Sequence, residues 1–217
     1  GEMGGLGPDG LRSNWTLSGG RLVQTSDLRS RQLEWDGASN PDVWLNGWSP
    51  LGDGVNVLRR GTYALYEGDG AAGWTDYSVE ARIRTPDNDG LGFLFRYVDA
   101  DNYYKLELDA EGDYDRDPGN GAGSLFNLVR VRAGVEEILG QVPAKYEPNQ
   151  EMLLRVDVEG GRITAFHDGE MIFSRTIEDR SHPAGTIGLY SWGSEGVGFD
   201  DVSVVRLRDA GPLAGTE

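Results

Sequence analysis

The sequence predicts an all-β fold, two antiparallel sheets packed face to face as a β-sandwich or jelly roll, and three observations predict it. Short segments with apolar residues at every second position recur along the chain, 33 glycines and 9 prolines punctuate the intervals, and no stretch of a dozen residues carries a helical apolar stripe. A chain of 217 residues, 10% of them aromatic, suits one domain with a sizeable core. That domain is expected over residues 1-208, with inserted loops near 27-60 and 109-123 and a flexible tail at 209-217.

The elements follow in order. Gly61 to Tyr66 reads as a strand, and in Tyr77 to Arg84 the alternation of Tyr77, Val79, Ala81 and Ile83 with Ser, Glu and Arg predicts a half-buried antiparallel strand. Leu91, Phe93, Phe95 and Tyr97 keep the same phase, and Tyr104-Lys105-Leu106-Glu107-Leu108 follows a short Asp-rich turn, which predicts a hairpin. Further strands are expected at Leu125 to Arg132, Val135 to Leu139, Met152 to Val158, Arg162 to His167, Met171 to Ile177, Thr186 to Trp192 and Val197 to Arg206. Glu159-Gly160-Gly161 and Asp168-Gly169 divide three of them into a meander, the second being a strong two-residue hairpin signal. Residues 27 to 60, with Trp35, Trp44 and Trp48, and the acidic, glycine-rich residues 109 to 123 depart from this metre. Loops of such length in a compact domain tend to carry function.

Charge and composition exclude several classes. With 36 acidic against 20 basic residues the net charge is −16, which opposes binding to a phosphate backbone, so no nucleic-acid partner is expected. No cysteine is present, which removes disulfides, thiolate metal sites and cysteine nucleophiles. No apolar run approaches the roughly 20 residues that span a bilayer, and no basic stretch followed by an apolar one opens the chain, so no membrane insertion is expected. The acidity invites Ca2+, a hard cation that takes carboxylate and carbonyl oxygens at flexible loops; the alternative is a solvated acidic surface.

Three groups of residues are candidate sites. Asp113, Asp115 and Asp117 alternate in the acidic loop and could supply oxygens to Ca2+ or to a positive group of a ligand, or be a solvated loop. Trp35, Trp44 and Trp48 stand among Asp36, Asp42 and Asn46, a mixture that stacks on sugar C–H faces and bonds hydroxyls, or else covers a sheet edge. Near the end, Asp200 of Asp200-Asp201 shares strand phase with Val202 and Val204, so unless a bulge intervenes its carboxylate points with the core and needs a partner. Asp87-Asn88-Asp89-Gly90 and Asp99-Ala100-Asp101-Asn102 fall at opposite ends of one predicted strand and use turn residues. His167 and His182 have neither metal-ligand spacing nor an assignable Ser-His-Asp arrangement.

The succession Ser13-Asn14-Trp15, Gly61-Thr62-Tyr63, Trp74-Thr75-Asp76-Tyr77, Gly92 to Tyr97, Asp101-Asn102-Tyr103-Tyr104, Gly185 to Trp192 and Phe199-Asp200-Asp201-Val202 resembles the concanavalin A-like lectin/glucanase superfamily. Within it the chain is most similar to laminin-G-like jelly-roll modules of large secreted bacterial proteins, with a weaker likeness to the thrombospondin C-terminal domain. Its acidity, lack of cysteine and Asp-rich loops also resemble ligand-binding domains of calcium-dependent bacterial repeat adhesins. The first resemblance implies a structural calcium at Asp200 and Asp201; the alternative is an Asp-backbone or Asp-Arg bond that clips the final strand. The superfamily spans lectins, glycan-binding modules, polysaccharide-cleaving enzymes and adhesion domains, so fold alone does not assign activity. Glu107-Leu108-Asp109-Ala110-Glu111 departs in spacing from the Glu-x-Asp-x-x-Glu strand signature of its laminarinase-like members, which argues against hydrolysis.

The expectation is therefore a non-catalytic, extracellular or cell-surface, calcium-dependent adhesion module that recognises glycans, as a monomeric module of a larger protein. One alternative is a peptide-binding adhesin domain, with calcium holding a carboxylate and Arg96, Arg130 and Arg132 pairing acids. The others are a polysaccharide lyase or glycosidase on the same fold, and a structural spacer.

Overall fold

The computed structural model describes residues 14–26, 31–33, 57–59, 61–110, 123–144 and 146–207. Their strands form two antiparallel sheets stacked as a sandwich, in agreement with the sequence. The eight-stranded sheet runs β1 (Trp15–Ser18), β2 (Arg21–Gln24), β16 (Gly198–Arg206), β6 (Tyr77–Arg84), β11 (Met152–Glu159), β12 (Arg162–His167) and β13 (Glu170–Met171), with β14 (Ile177–Glu178) also pairing β12. The six-stranded sheet runs β10 (Val135–Pro143), β9 (Leu125–Arg132), β8 (Asn102–Asp109), β7 (Gly90–Asp99), β15 (Thr186–Trp192) and β5 (Thr62–Leu65). β3 (Arg31–Leu33) and β4 (Val57–Arg59) pair with each other inside the stretch expected to be a loop.

The core follows from the period-two pattern. Tyr77, Val79, Ala81 and Ile83 of β6 and Met152, Leu154, Val156 and Val158 of β11 are buried, while the residues between them are partly or fully exposed. They meet Leu91, Phe93 and Phe95 of β7 and Tyr104, Leu106 and Leu108 of β8 across the sandwich. Each such side chain contributes about 1.5–3 kcal/mol when fully buried. At the predicted hairpin, Asp168 (φ 50°) and Gly169 (φ 86°) both take the left-handed conformation that matches the twist of the flanking strands.

Three expectations change. The strand expected at Met171 to Ile177 is two short strands, β13 and β14, separated by bends. β10 continues past Leu139 to Pro143, with a register shift between Ile138 and Gly140. In β16 a bulge does intervene: the register shifts between Asp200 and Ser203, and Asp201 has φ 48°. Neither carboxylate enters the core. Instead Asp200 lies 3.4 Å from the Arg21 guanidinium and Asp201 lies 3.2 Å from that of Arg82.

The strands that position the site are β7 and β8. Gly90 through Tyr97 and Tyr103 through Asp109 are buried without interruption, so both strands are covered on both faces. One face belongs to the core between the sheets. The other, turned away from the eight-stranded sheet, carries a second cluster of Tyr63, Leu94, Tyr97, Tyr103, Val129, Val131, Tyr190 and Trp192.

Candidate active site on the far face of the six-stranded sheet

Strand register lines up one transverse row on this far face: Tyr63 opposite Tyr190, Tyr190 opposite Gly92, Gly92 opposite Glu107, Glu107 opposite Asn127, and Asn127 opposite Gln141. Because alternate residues of a strand share a face, Lys105 and Asp109 flank Glu107 on the same side, and Trp192 flanks Tyr190. Glycine is required in this row. Gly92 has φ 150°, and a Cβ there would lie 2.0 Å from the carbonyl oxygen of Leu106. At Gly90 a Cβ would stand 3.0 Å from Glu107 Oε1 and 3.3 Å from Trp192 Cβ.

In the space so left, four polar side chains converge. Lys105 Nζ donates to Glu136 Oε1 at 2.8 Å and to the Tyr190 hydroxyl at 3.3 Å, and lies 3.5 Å from Glu107 Oε1. The Tyr190 hydroxyl in turn donates to Glu107 Oε1 at 3.1 Å. Lys105, Glu107 and Tyr190 are each 0% exposed. A charge taken from water at this depth is tolerated only when paired and hydrogen-bonded, and the single ammonium serves two carboxylates. Beside it, Asn127 Oδ1 accepts from Gln141 Nε2 at 2.9 Å. In the aromatic border the Tyr97 and Tyr103 rings stack 5.6 Å apart, and the Tyr63 ring lies tilted 5.7 Å from Tyr97. The whole offers a carboxylate base, a phenolic proton donor in contact with it, a cation, and flat apolar walls.

A second buried polar network is spent on holding the chain together. Arg96, in the left-handed region at φ 45°, donates through its guanidinium to the carbonyl oxygens of His182 (3.2 Å) and Thr75 (2.7 Å). Arg130 donates to Asp179 at 2.5 Å and also to Glu137, and Tyr104 donates to Asp179. Burial raises Tyr104 to about 12, helped by its bond to Asp179. Burial also works to raise Asp179, but bonds from Tyr104 and Ser181 and the Arg130 charge outweigh it and hold the carboxyl below its ordinary value. His182 is kept low mainly by burial, its Nε2 lying 2.7 Å from the Val131 carbonyl oxygen. Two of the three arginines that the peptide alternative invoked are thus occupied internally.

Of the residues singled out from the sequence, Trp35, Trp44, Trp48, Asp36, Asp42, Asn46, Asp113, Asp115 and Asp117 lie outside the described residues. Asp200 and Asp201 are described and pair with different arginines. Among the described residues no group of three or more His, Asp or Glu is placed to hold a metal ion. His167 lies 3.5 Å from Asp168 at the hairpin. Trp192 and Tyr104 are buried in the six-stranded sheet. Lys105, Tyr190 and Asn127 were missed. The available signal was Lys105 itself, one of only two lysines in the chain, in mid-strand between tyrosines and an acidic run.

With this geometry in hand, comparison with known proteins decides the family. The sequence model of the 3-keto-alpha-glucoside-1,2-lyase-like domain matches residues 34–205, well over half of the chain. The chain belongs to this family. It is a jelly-roll family of the concanavalin A-like type, which upholds the broad resemblance read from the sequence, while nothing found supports a laminin-G-like module or an adhesin domain. No individual curated protein sequence matches significantly. Among solved structures, the carbohydrate-binding module CBM66 of Bacillus subtilis is similar at 20% identity and a TM-score of 0.55, over 70% of this chain and 86% of that one. A functionally unknown protein of Saccharomyces cerevisiae aligns at 11% identity and a TM-score of 0.57, over 90% and 92% of the two chains. The GH43 protein BlXynB of Bacillus licheniformis aligns at 15% identity and a TM-score of 0.51, over 89% of this chain but only 34% of its own length. These likenesses show the fold.

The expectation of a non-catalytic module is corrected by the family match, because the family is described as lyase-like. The misleading step was the demand for a linear carboxylate spacing on one strand. Glu107, set aside for that spacing, makes its polar contacts with Lys105 on its own strand and with Tyr190 from another. The coarser reading holds: this is a carbohydrate-binding or glycoside-hydrolase-like domain. No helix among the described residues is long and apolar enough to cross a membrane.

Proposed function

We propose that this chain cleaves 3-keto-glycosides by elimination across C1 and C2, with Glu107, Tyr190 and Lys105 as its working groups. The observation that carries the reading is the Tyr190–Glu107 hydrogen bond of 3.1 Å beside a fully buried ammonium, within the segment that matches a 1,2-lyase-like family. A ketone at C3 makes the C2 proton acidic, since the charge left on C2 delocalises onto the ketone oxygen. Glu107 takes that proton, the C1=C2 double bond forms, and the C1–O bond breaks with its electron pair on the departing oxygen. Tyr190 donates its proton to that oxygen and is reprotonated from Glu107 through the bond they share. No oxidant is consumed, and the products are an alcohol and an unsaturated 3-keto sugar. The Lys105 ammonium stabilises negative charge as it develops, at a site where low dielectric strengthens the effect. A substrate reaching Glu107 takes the place of the atoms that now shield it.

The test uses a nitrophenyl 3-keto-α-glucoside, followed by nitrophenol release. Wild-type protein should cleave it and leave the unoxidised glucoside intact. Glu107→Gln should lower kcat by about 10²–10⁴-fold, the usual contribution of a general base. Equal rates for the two proteins, with folding unchanged, would refute the assignment.

Calcium and an extracellular setting belong to this proposal on charge and fold alone. A net charge of −16 supports the first. Melting in calcium against melting in EDTA reads out the first, and an unchanged midpoint argues against it.

A further inference from the structure

We propose that Asn127 donates a hydrogen bond from Nδ2 to the ketone oxygen of the substrate, which makes it the residue that selects oxidised sugars; this rests on the elimination reading above. Asn127 is 0% exposed, and its Nδ2 is buried without any hydrogen-bond partner. An orphaned buried donor costs about 1–3 kcal/mol, so native proteins rarely leave one without a use. Because Gln141 Nε2 donates to it, the partnered end of the amide is the oxygen, which leaves the nitrogen as the unpartnered end.

Three further features give that donor a direction. Gln141, directly opposite on β10, fixes the amide by the 2.9 Å bond to Oδ1, so the free end does not rotate away. Asn127 is also directly opposite Glu107 on β8, and facing residues of an antiparallel pair have Cβ atoms about 4.5–5.5 Å apart. A base acting at C2 and a donor acting on the C3 oxygen must be separated by about that much, since the two atoms are adjacent in the sugar. Finally, the amide is neutral. It can strengthen its bond as the ketone oxygen gains negative charge, without supplying a competing proton to Glu107.

The consequence is specificity for the ketone over the alcohol. The discrimination lies in the transition state, where only a ketone oxygen gains negative charge for Nδ2 to stabilise. The C3 hydroxyl of an unoxidised glycoside accepts a hydrogen bond too, but develops no charge.

Two measurements test this. In the first, Asn127→Ala is compared with wild-type on the nitrophenyl 3-keto-α-glucoside; loss of one preorganised oxyanion donor predicts a fall of about 10²–10³ in kcat/KM. A change of less than threefold overturns the proposal. In the second, the Asn127 side-chain NH2 resonances of wild-type protein are followed by NMR on adding methyl 3-keto-α-glucoside and, separately, methyl α-glucoside. The ketone should shift them more than the alcohol does; resonances that do not move, or that move equally, overturn the proposal whether or not the alanine variant folds. A shift with the ketone in a wild-type protein that cannot cleave the nitrophenyl substrate sustains the Asn127 contact and removes the elimination reading instead.

Discussion

Replacing Lys105 by Met removes one charge, keeps most of the volume, and takes an ammonium away from two buried carboxylates. Lys105 Nζ lies 2.8 Å from Glu136 and 3.5 Å from Glu107, and the lysine side chain is 0% exposed. At an effective dielectric constant of about 20 each contact is worth about 5 kcal/mol of Coulomb attraction, most of it offset by the cost of bringing the charges out of water. The asymmetry decides the outcome. Making such a cluster is nearly neutral, but breaking it by removing one partner costs about 3–5 kcal/mol because the remaining charges stay buried. For a chain of this size that is a fall in Tm of about 6–20 °C. Urea unfolding followed by tryptophan fluorescence measures it for Lys105→Met, Glu136→Gln and the double variant. The double variant should cost less than the sum of the two single ones, with a coupling of about 0.5–3 kcal/mol. A cost below about 1 kcal/mol for Lys105→Met, or strict additivity, would refute the claim that the ammonium holds these carboxylates in place.

Other consequences follow from the same contacts. Gly92→Ala should lose at least about 3 kcal/mol, read as a shift in urea midpoint, since the new Cβ meets the Leu106 carbonyl on a φ that side chains rarely adopt. Stability should fall on both sides of neutrality. Below about pH 6.5 the unfolded chain binds a proton that buried His182 resists, so stability declines as pH drops through that value, and declines further as Asp179 is protonated at its lowered pKa. Above pH 10.0 the unfolded chain ionises a tyrosine that Tyr104 keeps neutral to about 12, so stability declines over that interval. A melting temperature that stays flat from pH 4 to pH 11 would contradict both limbs.

Much of the fold was legible because β6 and β11 each bury one face, and one buried face writes itself as alternation. The bulge at Asp200-Asp201 was not, since one extra residue changes a side chain's direction without changing composition. The site was harder for the same reason that β6 was easy. Along β8, Lys105, Glu107 and Asp109 alternate with Tyr104, Leu106 and Leu108, and polar alternation reads as a solvent face. Only the position of β8 in the interior of its sheet, between β7 and β9, and burial on the far face turn those charges into a cluster. Tyr190 and Asn127 reach Glu107 through strand register, which no spacing along the chain encodes.

In the proposed elimination Glu107 removes the proton at C2. That step is tested most directly with a nitrophenyl 3-keto-α-glucoside carrying deuterium at C2, in ordinary water. Elimination predicts that nitrophenol release slows relative to the protiated substrate and that the sugar product has lost its deuterium to solvent. Release at an undiminished rate, with deuterium retained at C2, would contradict it.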